Sequence, residues 1–466
     1  MTTIATPARI GARVDSLTLR GRLIDPAADR HETVELVIED GIVTRVTAID
    51  DGTSEGLVIA PGFVDLHAHL REPGNEDAET VATGLAAAAH GGFTTVCAMP
   101  NTTPPADEPG VVGRVLAAAA QSDSPVRVLP YGCVSAGRAG ETLAAMGELA
   151  DAGVVGFSDD GSPVGSPALL RSGLLYAGAL GLPLVDHPED LALTGGAEAH
   201  DGYVATVLGL SGWPVAAEVS AIARALAVLA DVVGDEPRAR LHVTHVSTRA
   251  SLALIREAKA RGLPVTCDVT PHHMALSDEW IAGARRWAWD AIDGHGARDP
   301  WADGALVAAP FDASLRVNPP LRSAEDAVAC LAAVVDGTAD AIGTDHAPHT
   351  SVDKDVEFGL AANGISGLET ALGIGLAAVD AGRLALPQLI RALTTGPASV
   401  LGDRSARAPG IAVGEAADLV VFDPAASWHV TADSLASKGR NTPLLGRELR
   451  GVVQLTLADG RFAWSG

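Results

Sequence analysis

Between Pro61 and Gly74 an apolar run ends in Asp65-Leu66-His67-Ala68-His69-Leu70-Arg71 and is stopped by Glu72-Pro73-Gly74. Side chains alternate along a strand, so this spacing predicts that His67, His69 and Arg71 point to one side. Two imidazoles two residues apart at a strand end can share one metal ion, and a guanidinium beyond them can grip a carboxylate through two parallel hydrogen bonds. A metal beside an anion fork suits hydrolysis of an acidic substrate.

Other residues of ligand type lie at the ends of later apolar runs: Asp160, His187, His245 and Asp345. With His67 and His69 they make four imidazoles and two carboxylates. That set can hold two divalent ions with one carboxylate bridging, and its nitrogen and oxygen donors favour zinc, with manganese or cobalt as alternatives. Paired metals can share a hydroxide of lowered pKa while one of them polarises a carbonyl, and a neighbouring carboxylate can collect the proton. Within Phe157-Ser158-Asp159-Asp160-Gly161 the two aspartates compete for the inward position, the other being left to bond loop amides. His272 and His273 read as groups that order a loop or steady a ligand. His31, His90, His200, His242, His295 and His429 carry no such signal, and His242 should face away from His245 on a regular strand.

Elements must exist to bring these residues together. Strand-like runs end near His67, Pro100, Gly132, Asp159, His187, His245, Thr270 and Asp345. Ala/Leu-rich helical segments separate most of them, among them 80–90, 140–152, 215–233 and 250–261. Eight strands with intervening helices predict a (β/α)8 barrel over residues 61–401, and such barrels place their active sites at the C-terminal ends of the strands. The two chain ends read differently. Alternating runs at 16–25, 34–39 and 42–49, with a hairpin signal at Asp40-Gly41, are matched by runs at 418–423, 452–457 and 461–464 with Asp459-Gly460. Neither end has enough strands for a stable sheet alone, so residues 1–60 and 402–466 are expected to join into one small β-sandwich domain. The stretch 280–315, rich in Gly, Asp and Trp, has no clear period and is expected to be a surface excursion or lid.

Composition removes several classes of function. A formal charge of -25 disfavours nucleic acid and anionic membranes as partners. No apolar run reaches the roughly 18 residues of a membrane-spanning helix. Met1-Thr2-Thr3-Ile4 lacks the basic start of a secretory signal, so a cytoplasmic location is expected. Four scattered cysteines, with no CxxC pair, read as buried thiols.

Several motifs together resemble the class I bacterial dihydroorotases of the amidohydrolase superfamily. They are Asp65–Gly74; Gly91-Gly92-Phe93-Thr94-Thr95-Val96 with Met99-Pro100-Asn101-Thr102; Phe157–Gly161; His245-Val246-Ser247-Thr248; Asn318-Pro319-Pro320-Leu321-Arg322; Thr344-Asp345-His346-Ala347-Pro348-His349; Gly364–Thr370; and Asn441-Thr442-Pro443. The resemblance implies reversible cyclisation of N-carbamoyl-L-aspartate to L-dihydroorotate in pyrimidine synthesis, by a metal-bound hydroxide. It assigns His67, His69 and Asp345 to the more buried metal, Asp160 to the bridge, and His187 and His245 to the second metal. Asp345 would serve as general base in hydrolysis and general acid in ring closure. Arg71, Asn101, Asn318, His349, Asn363 and Gly364 would contact substrate. Two zinc ions, the second more weakly held, a homo-oligomer and association with aspartate transcarbamoylase are the further expectations. Related hydantoinases bridge their metals with a carboxylated lysine on strand four, and the three lysines of this chain, Lys259, Lys354 and Lys438, all lie elsewhere.

Overall fold

The computed structural model describes residues 9–49, 56–293, 299–302, 304–405 and 410–466. His295 falls outside them.

The terminal runs form one antiparallel-rich sheet. Its strands are β1 (Ser16–Asp25), β2 (Arg30–Glu39), β3 (Ile42–Ala48) and β4 (Val58–Pro61) from the first part of the chain. From the last part come β15 (Leu419–His429), β16 (Glu448–Ala458) and β17 (Arg461–Ser465). The order is β17-β16-β15-β4-β1-β2-β3, with β4 as the junction of the two halves. Asp40-Gly41 and Asp459-Gly460 all have positive φ, from 50° to 73°, as a two-residue type I′ hairpin turn requires. The two turns touch: a Cβ on Gly41 would meet the Gly460 carbonyl oxygen at 2.9 Å. The sandwich expected from sequence is thus a single sheet curled on itself. Leu19, Leu36 and Val43 share its enclosed core with Leu419, Leu455 and Leu457.

Eight parallel strands form the barrel. They are β5 (Phe63–Ala68), β6 (Phe93–Ala98), β7 (Arg127–Pro130), β8 (Phe157–Ser158), β9 (Leu184–Asp186), β12 (Leu241–Val243), β13 (Val265–Val269) and β14 (Ala341–Ile342). A short ladder, β10 (Ala199–His200) with β11 (Gly212–Trp213), lies outside this ring. Two runs of pairing, β5-β6-β7 and β8-β9-β12-β13-β14, are joined by single bridges. Gly132 pairs with Phe157 at one seam and Ala68 with His346 at the other. Buried Asp65 reinforces the second seam, accepting from the Thr344 amide at 2.8 Å and its hydroxyl at 2.6 Å. Helices follow the strands. Val81–His90 starts at Thr80, whose hydroxyl accepts from the Thr83 amide, and Val215–Asp235 and Arg249–Ala260 match the predicted segments closely. The segment expected to be helical over 140–152 is helical only at Met146–Asp151, since Gly140 takes φ 69° and belongs to a turn.

The first part of the 280–315 stretch, through Trp289, departs from its surface reading, whereas residues 307–311 are exposed. Trp280 is fully buried, as are Ile281, Ala284, Ala288 and Trp289. Arg447, from the turn before β16, lies 3.9 Å over the Trp287 ring and 5.4 Å from that of Trp280. The missing period reflects short helices, Glu279–Ala282 and Ala288–Asp293, anchored by indoles rather than by an apolar stripe. Trp280→Ala should therefore lower the unfolding free energy by about 3–5 kcal/mol. Urea denaturation would check this, and a loss below about 1 kcal/mol would return the stretch to the surface.

Candidate active site at the barrel mouth

Strand β5 stops at Ala68, so simple alternation does not carry His69 and Arg71 to the site, as the sequence reading assumed. The His69 amide instead donates to the His346 carbonyl at 2.8 Å, and Arg71 turns inward with φ 62°. His245 and Asp345 also have positive φ, 40° and 47°, a conformation that is costly for residues with a side chain and recurs where side chains must be aimed.

The six predicted ligand-type residues converge. His67 Nε2 lies 3.3 Å from His69 Nε2, 3.2 Å from Asp160 Oδ2 and 3.4 Å from Asp345 Oδ1. His69 Nε2 is 3.1 Å from Asp345 Oδ1 and 3.5 Å from Asp160 Oδ2. On the other side of the same carboxylate, Asp160 Oδ1 is 3.3 Å from His187 Nδ1 and 3.4 Å from His245 Nε2, and these two nitrogens are 2.9 Å apart. Ligands of a tetrahedral zinc sit about 3.3 Å from one another, the edge set by bonds of about 2.0–2.1 Å. The first group has that spacing along five edges, and the second forms a triangle near it. Asp160 offers one oxygen to each.

Charge supports the same reading. Burial alone would raise Asp160 and Asp345, but the imidazoles around them hold both carboxyls below their usual range. Burial would lower His67 and His187, yet Asp160 and Asp345 bring the first up to about 9, and Asp160 and Glu189 the second up to about 10. The cluster demands positive charge, and its donors stand at ligand spacing. The residues present fit divalent metal ions.

A ring of buried groups behind the ligands orients them. His67 Nδ1 is 2.7 Å from Thr244 Oγ1, which donates to Asp268 Oδ2 at 3.1 Å. Asp268 also accepts from the His245 amide at 2.7 Å and pairs with His242 Nε2 at 2.9 Å, so His242 takes part in this support. His69 Nδ1 donates to Asn101 Oδ1 at 2.8 Å. Asp159 accepts from the amides of Val134 and Ser135 at 2.9 and 3.1 Å, which leaves the inward place to Asp160. Arg138 donates to the Asp160 carbonyl at 2.6 Å. His273 bridges Thr270 Oγ1 and the Pro319 carbonyl. Sequence reasoning missed Asp65, Thr244, Asp268, Arg138 and Glu189. A carboxylate inside an apolar run was the available signal for Asp268 in Val265–Val269 and for Asp65 in Phe63–Ala68.

The site opens into a cavity of about 150 Å³, lined among others by His69, Arg71, Asn101, Asp160, His187, His245, Asn318, Asp345, His349, Asn363 and Gly364. Of the twelve residues predicted from sequence, only His67 is set behind its wall. Arg71 donates through Nε to the Pro348 carbonyl at 3.0 Å, and its Nη2 lies 3.2 Å from His349 Nε2. Burial and then Arg71 push His349 down to about 4, so this imidazole is neutral; its Nε2 donates to the Asn363 carbonyl at 2.8 Å. Gly364 has φ 146°, and a Cβ there would meet the Ala347 Cβ at 2.5 Å. All three lysines are engaged elsewhere: Lys259 with Asp340, Lys354 with the Ala313 and Arg316 carbonyls, Lys438 with the Glu76 carbonyl.

Comparison with known proteins agrees with this geometry. A family profile described as Dihydro-orotase-like matches residues 56–251, and the Amidohydrolase family profile matches residues 216–463. A dihydroorotase of Anaeromyxobacter dehalogenans is 49% identical, over 95% of this chain and 96% of its own length. One from Geobacter sp. is 42% identical, over 95% and 98% respectively. Among solved structures, the L-hydantoinase of Arthrobacter aurescens superposes with a TM-score of 0.77 at 25% identity, covering 95% of each chain. The dihydropyrimidinase of Brevibacillus agri shares the fold with a TM-score of 0.72 at 21% identity, over 97% of this chain and 95% of that one. With a relative this similar along nearly its whole length, the chain belongs to the dihydroorotases, metal-dependent cyclic-amide hydrolases of the amidohydrolase family.

Proposed function

We propose that this chain interconverts N-carbamoyl-L-aspartate and L-dihydroorotate with two zinc ions, in the cytoplasm, and that its working unit is the 61–401 barrel carried by a β domain of residues 1–60 and 402–466. The observation that carries the reading is one small cavity where His69, His187, His245, Asp160 and Asp345, with His67 just behind them, stand at ligand spacing beside Arg71, Asn101 and Asn318. His67, His69, Asp160 and Asp345 would hold one ion, and Asp160, His187 and His245 the other. Bound there, the ions would lend Lewis acidity to the ring-amide carbonyl and lower the pKa of the attacking water.

The chain's own groups do the rest. Arg71 takes the substrate carboxylate, with Asn101 and neutral His349 beside it. The main chain at Asn363 and Gly364 approaches the ring, which the missing Cβ of Gly364 allows. In hydrolysis water adds to the ring carbonyl, Asp345 takes its proton, the carbon–nitrogen bond breaks, and Asp345 returns the proton to the leaving nitrogen. Ring closure runs the same steps backwards.

Removing the shared carboxylate by Asp160→Ala should abolish turnover and reduce bound metal, whereas Asp159→Ala should cost less of both. Metal analysis alongside a dihydroorotate assay checks this; normal metal content in the first variant would refute the shared role. Arg71→Met should leave metal content intact and weaken dihydroorotate recognition by about 2–5 kcal/mol, the cost of unpairing a buried charge. A hydantoin-type ring without the carboxylate should lose much less, and equal losses would sink the role. Asp345 predicts opposite pH responses. Although burial raises it, His67 and His69 keep its carboxyl low, so it is ionised at neutral pH. Hydrolysis should therefore slow only as pH falls toward protonating it. Ring closure, which needs the protonated form, should quicken over the same range until protons displace the metals. Asp345→Asn should lose both directions, and parallel profiles in the wild type would exclude a proton carrier here.

A further inference from the structure

Glu189 follows two residues after His187 and is buried, yet it does not line the cavity. Its two oxygens are used unequally. Oε1 accepts from the Thr194 hydroxyl at 2.5 Å, which fixes the carboxylate plane. Oε2 faces two groups at once: His187 Nε2 at 3.0 Å and Asn318 Nδ2 at 3.0 Å. A carboxylate oxygen without a proton only accepts, so both partners must donate to it.

Each donation settles an ambiguity. An imidazole that donates from Nε2 presents the lone pair of Nδ1, and Nδ1 is the atom facing Asp160 and His245. An asparagine whose NH2 group is held by Glu189 must turn its carbonyl away from it. The Asn318 Oδ1 atom is buried and has no partner in the protein, while Asn318 lines the cavity.

We propose that Glu189 is a positioning residue that sets both halves of the site with one oxygen. It fixes the His187 tautomer that can bind metal, and it makes Asn318 an acceptor that selects substrates carrying an N–H at that point of the ring. The second half rests on the reading of the substrate given above; the first does not. Asparagine left free can present either end of its amide, so without Glu189 the pocket would no longer distinguish a donor from an acceptor in the ligand. An N-methylated ring should then be refused less strongly.

The test pairs Glu189→Ala with Glu189→Gln. Glutamine can keep an oxygen at the Oε2 position and turn its NH2 group to Thr194, whose hydroxyl can accept. Zinc affinity of the metal-free proteins, measured by competition with a chromophoric chelator and no substrate, should fall about 10–100-fold in Glu189→Ala and recover in Glu189→Gln. With zinc restored, the KM ratio of N-methylated to unmodified dihydroorotate should be large in the wild type and in Glu189→Gln, and shrink toward one in Glu189→Ala. Should the alanine variant fail to fold, Thr194→Val, which only frees the carboxylate plane, should show smaller losses in the same two readouts. Wild-type zinc affinity in Glu189→Ala, or glutamine no better than alanine, would overturn the assignment. A wild type that binds zinc with the predicted dependence on residue 189 but does not turn over dihydroorotate would refute the substrate reading instead.

Discussion

Everything at the mouth of this barrel depends on keeping two carboxylates and four imidazoles in two groups of about one ligand spacing that meet at Asp160. Brought together without counter-charge or fixed hydrogen bonds, such groups would be hydrated and splayed apart, because burying an unpaired charge costs several kcal/mol. The chain meets this constraint with further buried carboxylates placed behind the ligands. Asp65, Asp159, Asp268 and Glu189 each collect hydrogen bonds from loop amides, hydroxyls or imidazoles. They point the inner groups by holding the loops that carry them. The cluster is thus held by an acidic outer layer whose own charges are met by backbone amides and by hydroxyl, amide and imidazole side chains.

A separate contact ties the curled terminal sheet to the chemistry. Asn441, between β15 and β16, donates through Nδ2 to the carbonyls of Ala347 and Gly364, both at 2.9 Å. Its Oδ1 accepts from the His349 amide at 2.9 Å and from the Ser366 hydroxyl at 3.0 Å. One side chain from the last part of the sequence therefore sets the separation of the two loops that carry His349 and Gly364. An error in docking the sheet would be felt in the substrate pocket, not merely in stability.

The sequence revealed best what periodicity and residue type encode directly. β1 coincides with its predicted run at Ser16–Asp25, and Asp-Gly marked both hairpin turns, because a type I′ turn tolerates few other pairs. The residues of the cluster could be named because histidine and aspartate at strand ends have few other reasons to gather there. Positions set by tertiary partners were not legible. His69 and Arg71 owe their direction to a bridge with His346 and a left-handed φ, which spacing along a strand does not express. The first part of the 280–315 stretch looked like surface because its burial comes from indoles stacked under Arg447, a residue more than a hundred positions away. Glu189 was invisible for the same reason: its partners Asn318 and His187 meet only when β9 closes against the loop before Pro319.

The shared aspartate explains a further economy of the fold. A carboxylated lysine would reach the metals on a long flexible arm and would have to be made by reaction with carbon dioxide, but Asp160 has one methylene between backbone and carboxylate. Its backbone must therefore be brought to the cluster, and the structure does this by ending β8 after Ser158 and pinning the Asp159 and Asp160 carbonyls with Arg138. The short arm leaves little freedom: Oδ2 must face His67 and His69 while Oδ1 faces His187 and His245. The two groups of ligands, from β5 on one side and β9 and β12 on the other, are then coupled through a single planar carboxylate. A shift of either half moves the other, so one side chain sets the spacing of both groups of donors.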